Sequence, residues 1–570
     1  MRAGSSVGRL GRGIAGAAVL VGVLTVLARV TGFGKQLVFA RTVGTDCLAT
    51  AYFTANAIPN LVFEMVVGGA LAGMVVPLLA GPAARAGGDR EVSETTSALL
   101  TWVLVLLVPL AVVTALVAGP LIHLFLGGEV PQCDDLATLS LVATRMLVVF
   151  APQIPLYGLA VVLYGLLQAH HRFTSPALAP LVSSLVVIVG YLAFVPLSGG
   201  GNVLSPTLKP AELALSVGTT LGVLALVLTV LGPAGRLKLR LRPRLRFPAG
   251  AGGKVRHLAL AGLAALLAQQ VAMALVVWLA NRHVGAGGLA AYNFAWAVYQ
   301  VPYAVLAVPI ATGAFPALVT KADSGDNAGF AATVAGTTRA VTLVTGLAAG
   351  ALAAVAWPVA EVFLAQMPTK VSVESFARSI ALFAPGLIGY GLMAHLSRVL
   401  YARGQGRAAA IGTVTGWVVA MVAQVVLAVA LPFEWKLGGL ALGGSVGMTV
   451  GAVVLLACVV RSAGAATTAG LPRAAVAAVL GGGAGLAAGA ALVAWLDASG
   501  LWANVGATVV TGVAALAVGG AVALLVDRRD GAALMRRLPG PLGRGGGTAR
   551  RDGADSLEQE PERAQGGDAS

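Results

Sequence analysis

A chain of 570 residues that is 58% hydrophobic and only 11% charged, with a mean hydropathy of +0.87, has too little polar surface to clothe soluble domains. A net charge of +15 would suit a nucleic-acid binder if the basic residues shared one folded face, but here they are spread over connections between apolar runs. Those runs have helical length and lack the ten-residue alternation of a membrane barrel, so the predicted class is an all-α polytopic membrane protein.

The first stretch, MRAGSSVGRLGRGIAGAAVLVGVL, carries basic residues ahead of an apolar run as a signal peptide does. The run continues past Arg29 with no small-residue cleavage site before TGFGK, so it is expected to stay as the first span. Fourteen spans are predicted, near 14–42, 48–82, 96–126, 137–168, 176–197, 212–233, 258–280, 287–318, 334–365, 374–402, 408–432, 437–460, 474–495 and 501–526. With the N-terminus inside, 27 of the 38 Lys and Arg fall on the inner side and only Lys209, Arg282, Lys370 and Lys436 in outer loops. The positive-inside rule then puts both termini in the cytoplasm.

Between spans six and seven lies the run Arg236, Lys238, Arg240, Arg242, Arg244 and Arg246. It is expected to be a topology determinant resting on anionic membrane lipid, not a nucleic-acid site. Cys47 and Cys133 both map to outer loops, and whether they pair is left open, because sequence supplies no distance. No CxxC or HExxH spacing suggests a metal. From Asp527 to Ser570 the chain is rich in Gly, Arg, Asp and Glu and is expected to be disordered.

The sequence repeats itself. RMLVVFAPQIPLYGL at 145–159 aligns with RSIALFAPGLIGYGL at 378–392, placing Arg145 over Arg378, Pro152 over Pro385 and Tyr157 over Tyr390. Each copy runs on to a basic residue, Arg172 or Arg407. Because the copies are the fourth and tenth spans, the unit is six helices, and an even number preserves orientation. The expected organisation is two pseudo-symmetric six-helix lobes, 1–233 and 258–460, joined by a basic cytoplasmic loop at 234–257. Two extra helices at 461–526 and the tail at 527–570 complete it.

Helix breakers fall inside the spans. Gly32 and Gly34 are expected to interrupt the first, Pro59 and Pro77 bracket Gly68 and Gly69 in the second, and Pro302, Pro309 and Pro316 punctuate the eighth. So do charges, which are costly in a bilayer and need a reason. Arg29 and Lys35 lie in the first span about 9 Å apart along a straight helix and about 120° out of register, so a bend at Gly32 and Gly34 or an enveloping cavity is needed for both to reach one ligand. Glu64 is either the ion partner of Arg29 or Lys35, or a proton or sodium site. Arg41 is expected to snorkel to the interface, and Arg145 and Arg378 are either anchors of the repeat or ligand contacts.

The stretches ARVTGFGKQLVFARTVG and AIPNLVFEMVVGGALAGMVVPLL, with LLQAHHRFTSPALAPLVSSLVVI at 166–188, YQVPYAVLAVPIATGAFPALVTKA at 299–322 and VLYARGQGR at 399–407, resemble the MurJ/MviN lipid II flippase family. Arg29 matches that family's first cavity arginine and Lys35 replaces its second. Phe63 and Glu64 stand where paired arginines are usual, Gly68 where glutamate is, and Trp296 and Ala297 where Asp-Arg is. The resemblance implies the multidrug/oligosaccharidyl-lipid/polysaccharide exporter fold of fourteen helices. It also implies alternating-access flipping, in the bacterial plasma membrane, of undecaprenyl-diphosphate-linked peptidoglycan precursor, without covalent chemistry or a cofactor.

Arg29, Lys35, Asn60 and Glu64 are therefore the expected substrate contacts, and Gly32, Gly34, Pro59, Arg145 and Arg378 the expected hinge or structural positions. Directionality would come from the membrane potential or an unidentified coupling ion, and the cell-envelope synthesis machinery is a candidate partner. The alternatives are a flippase for another polyprenyl-linked or amphipathic anionic substrate, and a cation-coupled multidrug exporter with Glu64 as the coupling site.

Overall fold

The computed structural model describes residues 4–65, 72–85, 88–199, 204–246, 251–365 and 369–528. Among them the only non-helical pairing is an isolated bridge between Thr45 and Thr369. The helices are α1 (Gly4–Thr42), α2 (Cys47–Phe63), α3 (Ala72–Ala83), α4 (Asp89–Leu116), α5 (Ala118–Leu126), α6 (Leu136–Phe150), α7 (Gln153–Ala169), α8 (Thr174–Ser198) and α9 (Pro210–Gly235). There follow α10 (Ala251–Leu279), α11 (Gly288–Pro302), α12 (Val308–Asp323), α13 (Asn327–Ala354), α14 (Ala356–Leu364), α15 (Val373–Phe383), α16 (Gly386–Ala402), α17 (Gly406–Ala430), α18 (Lys436–Ala463), α19 (Leu471–Leu496) and α20 (Leu501–Val526).

Thirteen segments of the described residues are long and apolar enough to cross a membrane. The second predicted span corresponds to α2 and α3, of 17 and 12 residues, each short of the roughly 20 a crossing helix needs; Gly68 and Gly69 lie between them, outside the described residues. So do residues 529–570, most of the expected tail. Two expectations are corrected. Gly32 and Gly34 do not interrupt the first span, because α1 is one unbroken helix. The helix of the seventh begins at Ala251, inside the segment assigned to the basic loop, while its apolar membrane-length stretch among the described residues is Ala264–Val284.

Local chemistry starts several helices. Asp46 accepts the amides of Leu48 (2.9 Å) and Ala49 (3.1 Å) at the head of α2, and Asp135 accepts that of Thr138 (2.9 Å) for α6. Asp326 and Ser372 cap α13 and α15 in the same manner, each satisfying amides that have no intrahelical partner.

The packing repeats with the sequence. In the first half α8 packs on α1 and α9, and α7 on α9, α4 and α3; in the second half α17 packs on α10 and α18, and α16 on α18, α13 and α12. Breaks recur too. The helix ends at Val117 and again at Val355, ahead of Pro120 and Pro358, and at Ala151–Pro152 and again at Ala384–Pro385. Proline has no amide for the ladder, so carbonyls one turn back are released. At the first of the latter breaks the Thr220 hydroxyl donates to the Val149 carbonyl (2.9 Å) and accepts from the Gln153 amide (3.0 Å). At the second, the Ser445 hydroxyl reaches the carbonyls of Leu382 (2.7 Å) and Phe383 (3.1 Å).

Arg145 and Arg378 tie the broken helices to the following connection. Arg145 forks onto the Glu212 carboxylate (3.0 and 2.6 Å) and the carbonyls of Ser205 and Pro206. Arg378 lies over the Trp435 ring (3.9 Å), donates to the Glu434 carbonyl (2.9 Å) and pairs with Glu374. Both are anchors. At the opposite end Arg172 donates to the Pro233 carbonyl and Arg403, rather than Arg407, to that of Ser462. The C-terminal helices α19 and α20 pack on α13 through a glycine seam in which a Cβ on Gly350 would collide with the backbone of Gly482.

Glu212 is 2% exposed, so removing its partner leaves a carboxylate in an apolar setting. Arg145→Ala is expected to destabilise the protein by about 3 kcal/mol, and Arg378→Ala, whose Glu374 partner is solvated, by about 1 kcal/mol or less. Thermal unfolding of the two variants in detergent ranks them; equal losses would show that burial of Glu212 is not what makes the first pair matter.

Candidate transport site

The two halves meet in a densely packed layer at one end. Phe39, Tyr52, Phe53, Phe150, Tyr191 and Phe294 are all buried and touch ring to ring, with centroids 4.9–6.2 Å apart, and the Tyr52 hydroxyl bonds those of Tyr191 and Thr219, each at 2.7 Å. Polar contacts close the same end. Arg41 donates to the Ala365 carbonyl (2.7 Å), Lys370 N–H to the Thr45 carbonyl (2.9 Å), Gly287 N–H to the Thr50 hydroxyl (2.8 Å) and Asn281 to the Thr54 hydroxyl (2.9 Å). Gly287 sits at φ +70°, where a side chain would also strike the Thr45 carbonyl. Arg41 therefore ties the halves together rather than snorkelling.

Cys47 and Cys133 form a disulfide at this end, Cα atoms 5.9 Å apart, joining the first residue of α2 to the α5–α6 connection. Beside it burial pushes the Asp46 carboxyl above its usual range, against the pull of the Leu48 and Ala49 amides and the Lys370 charge. Exposed Trp357, Trp435, Trp495 and Trp502 belong to the same end, as an interfacial belt would.

Away from the disulfide end α1 and the facing helix carry exposed residues. Val26, Arg29 and Val30 on α1 are exposed, and nothing lies within 4 Å of where Gly32 or Gly34 would carry a Cβ. Glu64 is exposed just past α2, in a stretch of π-helix. On the facing half the helix turns π-helical from Tyr303 to Ala307 after Pro302, and Val301, Val305, Pro309 and Thr312 are exposed.

Ionisable groups of the two halves come within reach of one another here. Tyr303 is within electrostatic reach of both Arg29 and Arg398, which come from opposite halves; Glu64 is within reach of Tyr157 on its own half and Tyr390 on the other. Neither Arg29, Lys35 nor Glu64 has a hydrogen-bond or ion-pair partner among the described residues, so the expected pairing of Glu64 with Arg29 or Lys35 is not formed. Lys35 is half-buried. Asn60, next to the buried Pro59, accepts a hydrogen bond from the Tyr157 hydroxyl (3.3 Å).

Aromatic rings make the walls. Phe63 stacks on Tyr157 and Tyr303 on Tyr390, each at 4.2 Å, and Trp296 packs against Tyr299 and Tyr390. Tyr157 and Tyr390 are the repeat-related pair, so both copies present a tyrosine stacked on a ring of the neighbouring helix. Sequence reading missed this wall, although the offset of Tyr157 and Tyr390 was the signal for it. It also passed over Arg398, half-buried on α16 and held to the Ala394 carbonyl (2.6 Å).

The sequence profile described as "Lipid II flippase MurJ" matches residues 39–511. The chain belongs to this family. A Vibrio cholerae relative named "Probable lipid II flippase MurJ" is 26% identical over 438 residues, 75% of this chain and 79% of that one. A Burkholderia cenocepacia "Lipid II flippase MurJ" is 25% identical over 393 residues, 66% and 71% of the two chains. The match to a Synechocystis relative, at 29% identity, spans 45% of that protein's length.

The fold is shared with solved flippase and transporter structures. A solved "Lipid II flippase MurJ, inward closed conformation" superposes with TM-score 0.68 at 16% identity, over 90% of this chain and all of that one. An inward-facing multidrug resistance MATE transporter of the MOP superfamily gives 0.62 at 14% identity, over 78% and 94%. Fold class and family thus agree with the reading of the sequence.

Closure at the disulfide end has a direct check. Thr45→Cys with Thr369→Cys, whose parent hydroxyls touch, is expected to form a 45–369 cross-link under mild oxidation, mapped by peptide mass spectrometry. Its absence would show that the halves are apart at this end.

Proposed function

We propose that the protein is a flippase that carries lipid II, the undecaprenyl-diphosphate-linked peptidoglycan precursor, from the inner to the outer leaflet of the bacterial plasma membrane. The observation that carries the reading is Arg29: a cation on a membrane-length helix, exposed, without an ion partner and turned toward Tyr303 of the other half. A permanently charged guanidinium so placed needs an anion, and its planar fork suits a diphosphate.

Arg398 supports the same reading from the opposite wall. The family pattern usually puts arginines where Phe63, Glu64 and Ala297 stand here, and a cation on α16 supplies positive charge from the second half instead. Lys35 adds a point charge deeper along α1. Stacked tyrosines and Trp296 suit the sugar portion, since aromatic faces with polar tips bind amphipathic groups. The protein itself makes and breaks no covalent bond in this scheme.

The scarcity of Lys and Arg near the disulfide end supports assigning that end to the outer face, with both termini cytoplasmic. The structure is then closed at the outer face, and transport requires the Arg41, Thr45, Thr50 and Asn281 contacts to break. A cytoplasm-negative potential favours moving an anion outward by about 2.3 kcal/mol per charge per 100 mV, so the potential alone can give direction.

Arg29→Ala is expected to abolish rescue of a flippase-depleted strain while elution profile and helicity stay unchanged; retained rescue would refute the role. Arg398→Ala is expected to lower the flipping rate at least tenfold in the same assay. Glu64→Gln separates cargo classes: the flippase reading expects flipping to persist, whereas a cation-coupled exporter would lose proton- or sodium-dependent efflux.

A further inference from the structure

The basic segment between α9 and α10 is clipped along one face of α4. The Ser93 hydroxyl donates to the Arg240 carbonyl (2.6 Å), Arg242 N–H donates to the Ser97 hydroxyl (3.1 Å), Arg244 N–H to the Thr101 hydroxyl (3.0 Å), and the Trp102 indole N–H to the Leu245 carbonyl (2.9 Å). The registers fit for a simple reason. Four residues of helix rise about 6 Å and two residues of extended chain about 6.6 Å, so residues 93, 97 and 101 can meet 240, 242 and 244 in step. Pro243, with no amide to satisfy, falls between the two donors.

The clipped strap reads RLKLRLRPRLR from Arg236 to Arg246, with basic and apolar side chains alternating. Leu237 and Leu239 pack against the buried cluster of the first half, whereas Leu241 and Leu245 are exposed. On the basic side Glu94 takes Arg244 (2.7 Å) and Arg90 (3.1 Å). Lys238, Arg240, Arg242 and Arg246 are exposed and have no acidic partner among the described residues.

Depth follows from α4. Its first ten residues, DREVSETTSA, hold all of its charges, and from Leu99 to Val113 Thr101 carries the only hydroxyl, so about 15 Å of helix stands clear of the hydrocarbon. The strap climbs that projecting stem and ends beside Trp102, a residue type that prefers the interface. Its free cations are thereby held at headgroup level, with Leu241 and Leu245 on hand for acyl chains.

We propose that this strap is a docking site for anionic phospholipid, in which Lys238, Arg240, Arg242 and Arg246 bind headgroup phosphates and the Ser93, Ser97, Thr101 and Trp102 clips hold them in a fixed row. The site lies against α4 in the first half, away from the space between the halves, and does not depend on the flippase reading. Since the strap also connects the halves, bound lipid pins the connector to the first half and to the membrane surface.

The test is the lipid that co-purifies from bilayers of equal phosphatidylcholine and phosphatidylglycerol, with the full chain in nanodiscs and the ratio read by mass spectrometry. Wild type is expected to enrich phosphatidylglycerol. Lys238→Gln, Arg240→Gln, Arg242→Gln and Arg246→Gln together are expected to lower the enrichment by on the order of tenfold, because they remove the basic groups that an anionic surface attracts. Ser93→Ala, Ser97→Ala and Thr101→Val together, which leave the charge intact, are expected to lower it several-fold. Unchanged enrichment in the charge variant overturns the proposal, and unchanged enrichment in the clip variant overturns the built site in favour of bare charge. If the fourfold variant does not elute as a folded particle, Arg240→Gln with Arg242→Gln is read by the same criterion.

Discussion

Inside a bilayer no water is at hand to satisfy a backbone carbonyl that has lost its helical partner, so a membrane helix can break only where something else in the protein supplies the hydrogen bond. Thr220 does so for the break at Ala151–Pro152 and Ser445 for the one at Ala384–Pro385. Much of the architecture depends on those two hydroxyls. They permit the fourth and tenth spans to bend, and the bends carry Tyr157 and Tyr390 to opposite walls of the central space. Arg145 and Arg378 then lash the bent helices to the connections before α9 and α18, so a duplicated sequence becomes a duplicated device.

The halves differ in what they add to that device. The first buries its anchor carboxylate, Glu212; the second leaves Glu374 solvated and uses the face of Trp435 instead. The first supplies Arg29 and Glu64 to the space between them, and the second supplies Arg398 and Tyr303. Aromatic packing and hydrogen bonds, among them that of the Arg41 guanidinium to the Ala365 carbonyl, close the disulfide end. Arg29 and Glu64 are exposed away from that end, and the proposed flippase reading places the anionic headgroup there.

Much was legible from the residues themselves. Apolar runs announce helices because a bilayer leaves the chain no other way to pair its backbone, and the match of 145–159 with 378–392 announced the duplication because Arg, Pro, Tyr and Gly at one offset are not required by hydrophobicity. Helical interruption was less legible. Two glycines in α1 lower helix propensity by about 1 kcal/mol each without forcing a break, and the helix runs through them; Pro152 and Pro385 mark breaks, whereas Pro59, expected as a hinge, and Pro109 and Pro180 lie within continuous helices. The pairing of Arg145 with Glu212 joins residues 67 positions apart, and the clip of the basic segment onto Ser93, Ser97 and Thr101 spans about twice that; no local pattern encodes either.

What the sequence by itself determined is the class, the duplicated order of the helices and the family, since each follows from composition, periodicity and motif along one line of chain. Tertiary structure alone decided that Cys47 meets Cys133, that Arg41 locks one half to the other and that Glu64 faces tyrosines rather than an arginine. It also brought Arg398, a residue with no signal of its own, and Arg29 from the opposite half within electrostatic reach of Tyr303. Hydrophobic burial specifies which residues leave water but not which distant polar groups then find one another, and that choice is made only when the helices pack.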